Sequence, residues 1–320
     1  MNTFTNQCKG VIYGQAVGDA LGLGTEFLAK AEVYKYYPDG LKHYREIVQD
    51  RHRSRWKIGD WTDDTDQMLC ILDSLLEHRQ VIALDVARRI HSWAFNGGMG
   101  IGNMVATTIQ SRDFLTNPHA AAKASWEKTA RNAAPNGGIM RTSILGVWGY
   151  HDISKVKANA ETICKITHYD PRCIGSCVAV CVAISLMLQG VSDVSEIIDH
   201  TIRESCGYDT RVTEYLELAK SASLQDFDLD EGLNPGEPDR IGYTLKALGA
   251  SFWALKNAHS YQDGILQIIH EGGDADTNAA VAGSLLGAKY GLTNIPSDWV
   301  SDLYDKHGLD CRVEKLIALL

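Results

Sequence analysis

The sequence predicts an all-α fold, on three observations. Apolar residues recur at helical spacing through most of the 320 residues, alternating runs of the strand type are scarce, and strand and helix segments do not alternate as a parallel sheet requires. Seven prolines suit a helical chain. Residues 1–320 are expected to form a single domain. One stretch resembles a linker, Ser221 to Arg240, rich in acid, Gly and Pro. Helical pattern continues on both sides of it without a shift in composition, so it reads as a surface loop.

Taken in order, the first helix carries Gly10, Gly14, Gly18 and Gly22 four residues apart, with Ala16 and Ala20 beside them. Met68, Leu69, Leu72, Leu75 and Leu76 mark a helix beginning near Met68, and Ala120 to Ala124 marks another. The longest apolar stretch, Ile174 to Leu188, contains Gly175, Ser176 and Ser185 and falls short of the roughly 20 residues that span a bilayer, so it reads as a buried core helix. Leu245 to Leu255 is helical by the same spacing. A late helix repeats the glycine register at Gly283, Gly287 and Gly291, after Ala279, Ala280 and Ala282. Residues four apart share a helix face, and each glycine there costs about 1 kcal/mol of helix propensity, so close backbone approach is the expected compensation.

Composition restricts the function. With 31 Lys+Arg against 40 Asp+Glu, the net charge is −9, which argues against general affinity for nucleic acid or an anionic membrane. Eight cysteines are too few for a disulfide scaffold, and Met1 to Gly10 has no apolar signal core, so a cytoplasmic protein with reduced thiols is expected. A monomer is expected.

Chemistry concentrates in two segments. Gly59-Asp60-Trp61-Thr62-Asp63-Asp64-Thr65-Asp66-Gln67 precedes the helix near Met68, and Glu271-Gly272-Gly273-Asp274-Ala275-Asp276-Thr277-Asn278 precedes the Ala/Gly-rich late helix. Capping a helix needs one Asp or Thr. These segments supply Thr62, Asp63, Asp64, Asp66, Asp274, Asp276 and Thr277, which would repel one another on converging unless a cation neutralised them. Oxygen ligands without nearby His or Cys suit Mg²⁺, Mn²⁺ or Ca²⁺. Neither segment has the twelve-residue pattern of an EF-hand. Asp274-Ala275-Asp276-Thr277 fits the DxDxT phosphatase pattern, but too little chain follows for that α/β fold. Asp63-Asp64-Thr65-Asp66 faintly resembles the Asp-rich box of all-α terpene synthases, which leaves Mg²⁺-dependent diphosphate chemistry as an alternative.

An ordered set of motifs carries a more specific resemblance. Gly18-Asp19-Ala20-Leu21-Gly22 followed by Glu26, Trp61-Thr62-Asp63-Asp64-Thr65, Gly100-Ile101-Gly102-Asn103, Asn136-Gly137-Gly138-Ile139-Met140-Arg141, Thr167-His168 and Gly272-Gly273-Asp274-Ala275-Asp276-Thr277 occur in that order. Together they resemble the ADP-ribosylglycohydrolase family, which includes the dinitrogenase reductase-activating glycohydrolases, from about Gly10 to Gly291. The resemblance implies an all-α fold with two divalent cations, Mg²⁺ or Mn²⁺, in a cleft that binds ADP-ribose. It implies hydrolysis of an ADP-ribosylated protein or other acceptor, with ADP-ribose as product. The implied metal ligands are Thr62, Asp63, Asp64, Asp274, Asp276 and Thr277, and the implied catalytic carboxylates are Asp63 and Glu26. A non-catalytic, crystallin-like relative that binds ADP-ribose is a further alternative.

The same resemblance implies substrate contacts at Gly98, Gly100, Gly102 and Asn103, at Asn136, Gly137, Gly138 and Ile139, at His168, and at Tyr243. Backbone N–H groups of such glycine-rich loops can approach phosphate or ribose closely, although ordinary turns look the same in sequence. Cys173, Cys177 and Cys181 share an apolar helix face and read as core. Lys42, Arg45, Arg51, Arg53, Arg55 and Lys57, against Glu46 and Asp50, form a basic run that would either be solvated or guide an anionic ligand. One position departs from the family: many arginine-directed members have an acid immediately before Ile-Gly-Asn, where this chain has Gly100. That places arginine specificity in question.

Overall fold

A computed structural model describes residues 2–233 and 241–320. Among them are no named strands, only an isolated antiparallel bridge between Pro135 and Tyr243. The first helices are α1 (Thr3–Gly22), α2 (Lys30–Tyr36), α3 (Asp63–His78), α4 (Ala83–Phe95), α5 (Asn103–Ile109) and α6 (Pro118–Lys128). They are followed by α7 (Ile144–Val147), α8 (Ile153–Cys164), α9 (Pro171–Leu188), α10 (Val194–Ser205) and α11 (Thr210–Ser221). After the loop come α12 (Thr244–Asn257), α13 (Tyr261–His270), α14 (Ala275–Tyr290), α15 (Ser297–Ser301) and α16 (Lys306–Ile317).

Local chemistry sets many of the boundaries. Asp152, Asp170, Asp193, Asp209 and Ser260 each accept a backbone N–H in the first turn of the helix they precede. Pro118 and Pro171 open α6 and α9, where a missing N–H costs nothing. One hydrophobic core runs from Cys8 to Leu316, with α9 buried through the middle. By length and composition α9 is apolar enough to cross a membrane, but 94% of it is buried by the rest of the fold. Cys173, Cys177 and Cys181 lie on it, buried and unpaired.

The glycine register is where α1 and α14 meet. A Cβ on Gly10, Gly14, Gly18 or Gly22 would strike the backbone carbonyl of Gly287, Gly283, Ala279 or Ala275 respectively. The two helices therefore touch backbone to backbone along most of their length, which recovers the propensity lost at each glycine. Gly291 differs from its neighbours in the register. It stands beyond the end of α14 at φ 77°, where its backbone N–H caps Gly287.

Two expectations need correction. Both acidic segments run into the helices they were expected to precede: the helix expected near Met68 begins at Asp63, and the late helix begins at Ala275, so Asp63, Asp64 and Asp66, and likewise Asp276, Thr277 and Asn278, form first turns. The stretch from Ser221 is more than a surface loop: Leu224, Phe227 and Leu229 are buried, and Leu229 packs its backbone on Gly273. These apolar residues punctuate the acidic run and anchor it. Residues 234–240 of that stretch lie outside the described residues.

Candidate active site

The contact between α1 and α14 places Asp19, Glu26 and the start of α14 side by side, and α3 joins them through Asp19. The hydroxyl and backbone N–H of Thr62 and the backbone N–H of Thr65 all donate to Asp19, at 2.9 Å each. Thr62 precedes α3 but makes no side-chain cap of its own. Asp19 supplies the cap from another helix, so it fixes where the first turn of α3 sits. The sequence motifs alone give Asp19 no role. The signal in the sequence is a carboxylate in the last turn of a helix whose second half is otherwise almost wholly apolar or glycine.

That junction creates a dense acidic cluster. One oxygen from each of Asp19, Asp64 and Asp276 lies within 4.8 Å of the others, and the same holds for Glu26, Asp274 and Asp276. Asp276 belongs to both groups. The Thr62 hydroxyl reaches Asp64 at 3.3 Å and Asp276 at 3.4 Å. The Thr277 hydroxyl lies close enough to Asp64 and Asp274 to favour their charged forms. Burial, followed by mutual repulsion, pushes Asp63, Asp64 and Asp276 well above the ordinary carboxylate range. Asp274 is pushed up to about 6 and Asp19 to about 7, burial again being the largest cause.

The cluster fits divalent cations by its own chemistry. Among the described residues, buried Asp64 Oδ1 has no hydrogen-bond partner, and neither has either polar side-chain atom of Asn278 in the first turn of α14. Buried polar atoms are rarely left unpaired unless a ligand or ion completes them. Hard oxygen donors in two groups sharing one carboxylate match the preferences of Mg²⁺ or Mn²⁺. Asp66, counted with these acids from sequence, turns away and accepts the indole N–H groups of Trp61 and Trp93, each at 2.8 Å.

The cluster forms one wall of a cleft of about 1210 Å³. Asp63 faces this cleft; Gln67 donates to its Oδ2 at 3.0 Å. Gly100, at φ 85°, lies directly over Asp63, so a Cβ there would strike Asp63 Oδ1. Gly102 and Asn103 continue the rim. Glu26 also faces the cleft, with Oε2 2.7 Å from His52 Nε2.

Next to the cluster, Asn136 and Gly137 line the cleft beside His168, whose ring leaves no room for a Cβ on Gly137. Asn136 donates to Asp274 Oδ2 through a short hydrogen bond, which assigns it a positioning task on a metal-type carboxylate. Tyr243 also lines the cleft, held to the Asn136 segment by hydrogen bonds from Asn136 N to Gly242 O and from Thr244 N to Ala134 O. Arg172, not foreseen from sequence, is held there by Asp170 and donates to the Tyr243 hydroxyl at 3.3 Å.

Three expected substrate contacts stand off the lining. Gly98 packs on the Trp93 indole, Gly138 packs on the thiols of Cys164 and Cys177, and Ile139 is buried in the core. The basic run does not face the cleft either. Arg53 is buried and donates to Gly24 O, Glu26 O and Asp50, so its charge organises the loop carrying Glu26 instead of attracting an anion.

Fold and site define an all-helical protein with a carboxylate-walled cleft able to hold divalent cations. The ADP-ribosylglycohydrolase family model matches residues 1–320, and the chain belongs to that family. ADP-ribosylarginine hydrolase Tri1 of Serratia proteamaculans is 24% identical over 98% of this chain and 80% of its own length. The ADP-ribosyl-[dinitrogen reductase] glycohydrolase of Rhodospirillum rubrum is 25% identical over 98% of this chain and 96% of its own. A solved structure titled "ADP-ribosylglycohydrolase-related protein complex" superposes with a TM-score of 0.73 at 25% identity, covering 99% of this chain and 98% of the other. Membership carries the coarse function of a glycohydrolase acting on ADP-ribose linkages. The terpene-synthase and non-catalytic readings draw no support from these relatives.

Proposed function

We propose that the protein hydrolyses the bond between the ribose C1″ of an ADP-ribosyl group and its acceptor, using two divalent cations, Mg²⁺ or Mn²⁺. The observation that carries this reading is the meeting of Thr62, Asp63 and Asp64 with Asp274, Asp276 and Thr277 across two helix N-termini, with Glu26 beside them. Of the expected ligands, Thr62, Asp64, Asp274, Asp276 and Thr277 would hold the cations, joined by Glu26, which stands with Asp274 and Asp276; Asp63 belongs to neither carboxylate group and is left for the proton. When bound, such cations neutralise the carboxylates, orient vicinal hydroxyls and acidify a water.

The side chains divide the remaining work. Asp63 has one oxygen fixed by Gln67 and the other toward the cleft under Gly100, and burial raises its proton affinity. It is placed to take a proton from the attacking water as the sugar passes through an oxocarbenium-like transition state. Asn136 holds Asp274, and His52 and Arg53 hold the side chain and backbone of Glu26. His168, Gly137 and Tyr243 offer a surface for the diphosphate, ribose and aromatic base.

The cleft volume exceeds the usual 300–1,000 Å³ of a small-ligand pocket, which supports a ligand that enters with part of its acceptor attached. Gly100 supplies no carboxylate for a guanidinium, so selection of the acceptor falls to other groups along the cleft, Glu32 among them. Eight unpaired cysteines support a reducing, cytoplasmic setting.

The test is release of ADP-ribose from a panel of arginine-linked, serine-linked, base-linked and small-molecule substrates, with Mg²⁺, Mn²⁺ or EDTA. Turnover of at least one substrate, abolished by EDTA, is expected. Binding of ADP-ribose without turnover of any of them would overturn the catalytic reading.

A further inference from the structure

A fully buried arginine lies beneath the cleft, and among the described residues no carboxylate is bonded to it. Arg141 has no solvent exposure, and a buried charge without a direct ion pair is uncommon enough to need a reason. Its Nη1 donates to Gln67 Oε1 at 2.6 Å and its Nη2 to Thr167 Oγ1 at 2.6 Å and, more distantly, to Ile163 O at 3.5 Å, while Nε has no partner among the described residues. Each partner passes the constraint on. The Gln67 oxygen is committed to Arg141, so its amide nitrogen must be the atom facing Asp63 Oδ2 at 3.0 Å. Arg141 thereby selects the amide orientation that gives Asp63 a donor; the flipped amide would set an oxygen against a carboxylate.

The second arm sets a tautomer. Thr167 is fully buried, and its oxygen lies 2.8 Å from His168 Nδ1. Because arginine only donates, the Thr167 oxygen accepts from Arg141 and its hydroxyl hydrogen needs an acceptor. Among the described residues His168 Nδ1 is the acceptor within reach. Nδ1 must then be bare, and a neutral imidazole with bare Nδ1 carries its proton on Nε2. His168 lines the cleft beside Gly137, with the Nε2 edge near the space that glycine leaves open.

We propose that Arg141 is a positioning residue for two side chains of the cleft, orienting Asp63 through Gln67 and, through Thr167, fixing His168 as a neutral Nε2–H donor toward an oxygen of the ligand. This rests on the proposed ADP-ribose ligand only for what His168 meets. The neutral state agrees with burial and the nearby Arg141 charge, which hold the imidazole well below its ordinary range. A donor that carries no charge and does not titrate near neutrality grips a phosphate or hydroxyl oxygen equally across the physiological pH range.

The experiment combines ¹⁵N–¹H correlation of the histidine rings in the ligand-free protein with ADP-ribose calorimetry and steady-state kinetics. Arg141→Lys leaves a buried ammonium with fewer donors and is liable to unfold, so the informative pair is Thr167→Val and Thr167→Ser. In the wild type, His168 is expected to show a bare Nδ1 and a protonated Nε2 from pH 6 to 8. Thr167→Val, which keeps the shape but neither accepts nor donates, is expected to mix the tautomers and weaken ADP-ribose binding on the order of tenfold, the size of one hydrogen bond. KM should rise by a larger factor than kcat falls, and Thr167→Ser should restore both. A wild-type His168 protonated on Nδ1, or valine and serine variants that bind alike, would overturn the relay. The expected tautomer in a protein that does not bind ADP-ribose would uphold the relay and refute the ligand.

Discussion

Gly18→Ala tests the idea that backbone contact between α1 and α14 builds the site. The added Cβ would stand 2.1 Å from the Ala279 carbonyl oxygen and 2.7 Å from its carbon. A carbon normally approaches such an oxygen no closer than about 3.3 Å, so the helices must part locally by about 1 Å. The obstacle is backbone, with no flexible side chain to swing aside, and the neighbouring pairs Gly14 with Gly283 and Gly22 with Ala275 resist the same movement. Overpacking of this kind costs about 3–5 kcal/mol, at the upper end of single substitutions. At about 2 °C per kcal/mol for a chain of this size, Tm should fall by about 6–10 °C. The sign is decisive, because Gly→Ala inside an unobstructed helix stabilises by about 1 kcal/mol. Gly207→Ala, in the turn after α10 where an added Cβ meets nothing within 4 Å, is the control for an uncrowded glycine and should leave Tm level or slightly higher. Calorimetric unfolding in EDTA reads stability alone, and ADP-ribose release in Mg²⁺ reads the effect on Asp19, which follows Gly18. A Gly18→Ala protein as stable as the wild type would refute the packing argument.

Three further outcomes are expected. Asp276→Asn removes the carboxylate common to both acidic groups, so the cation-free protein should gain about 1–3 kcal/mol at neutral pH while losing turnover; a cation-induced rise in Tm equal to the wild type's would contradict this. Asp19 and Asp274, at about 7 and about 6, favour a protonated native state, so their stabilising contribution is complete below pH 3.8 and lost as pH rises through 6 and 7. Saturating Mg²⁺ should therefore raise Tm more at pH 7.5 than at pH 5, and an increment independent of pH would count against the shared acidic site. Asp63→Asn keeps the shape and the cluster but cannot take a proton, and should lower kcat by about 10²–10⁴-fold in saturating Mg²⁺; an unchanged kcat would remove Asp63 from the chemistry.

The linear sequence determined the class of the fold and the identity of most acids in the site. Apolar periodicity is a local property, and it marks α3, α9 and α12 without reference to anything distant. The four-residue glycine spacing on α1 even announced a close helix neighbour, since only an external contact compensates its cost. It could not name the neighbour, and helix starts were misplaced where acids form the first turn, as at Asp63. Tertiary structure decided which residues act together. Asp19 became the cap of α3, Asn136 a brace for Asp274, and Arg141 the link between Asp63 and His168. It also withdrew Gly98, Gly138, Ile139 and the basic run from the cleft. The physical reason is that helical pattern reports which face of a segment is apolar, whereas a polar side chain's task depends on the partner that arrives from another segment once the faces are buried.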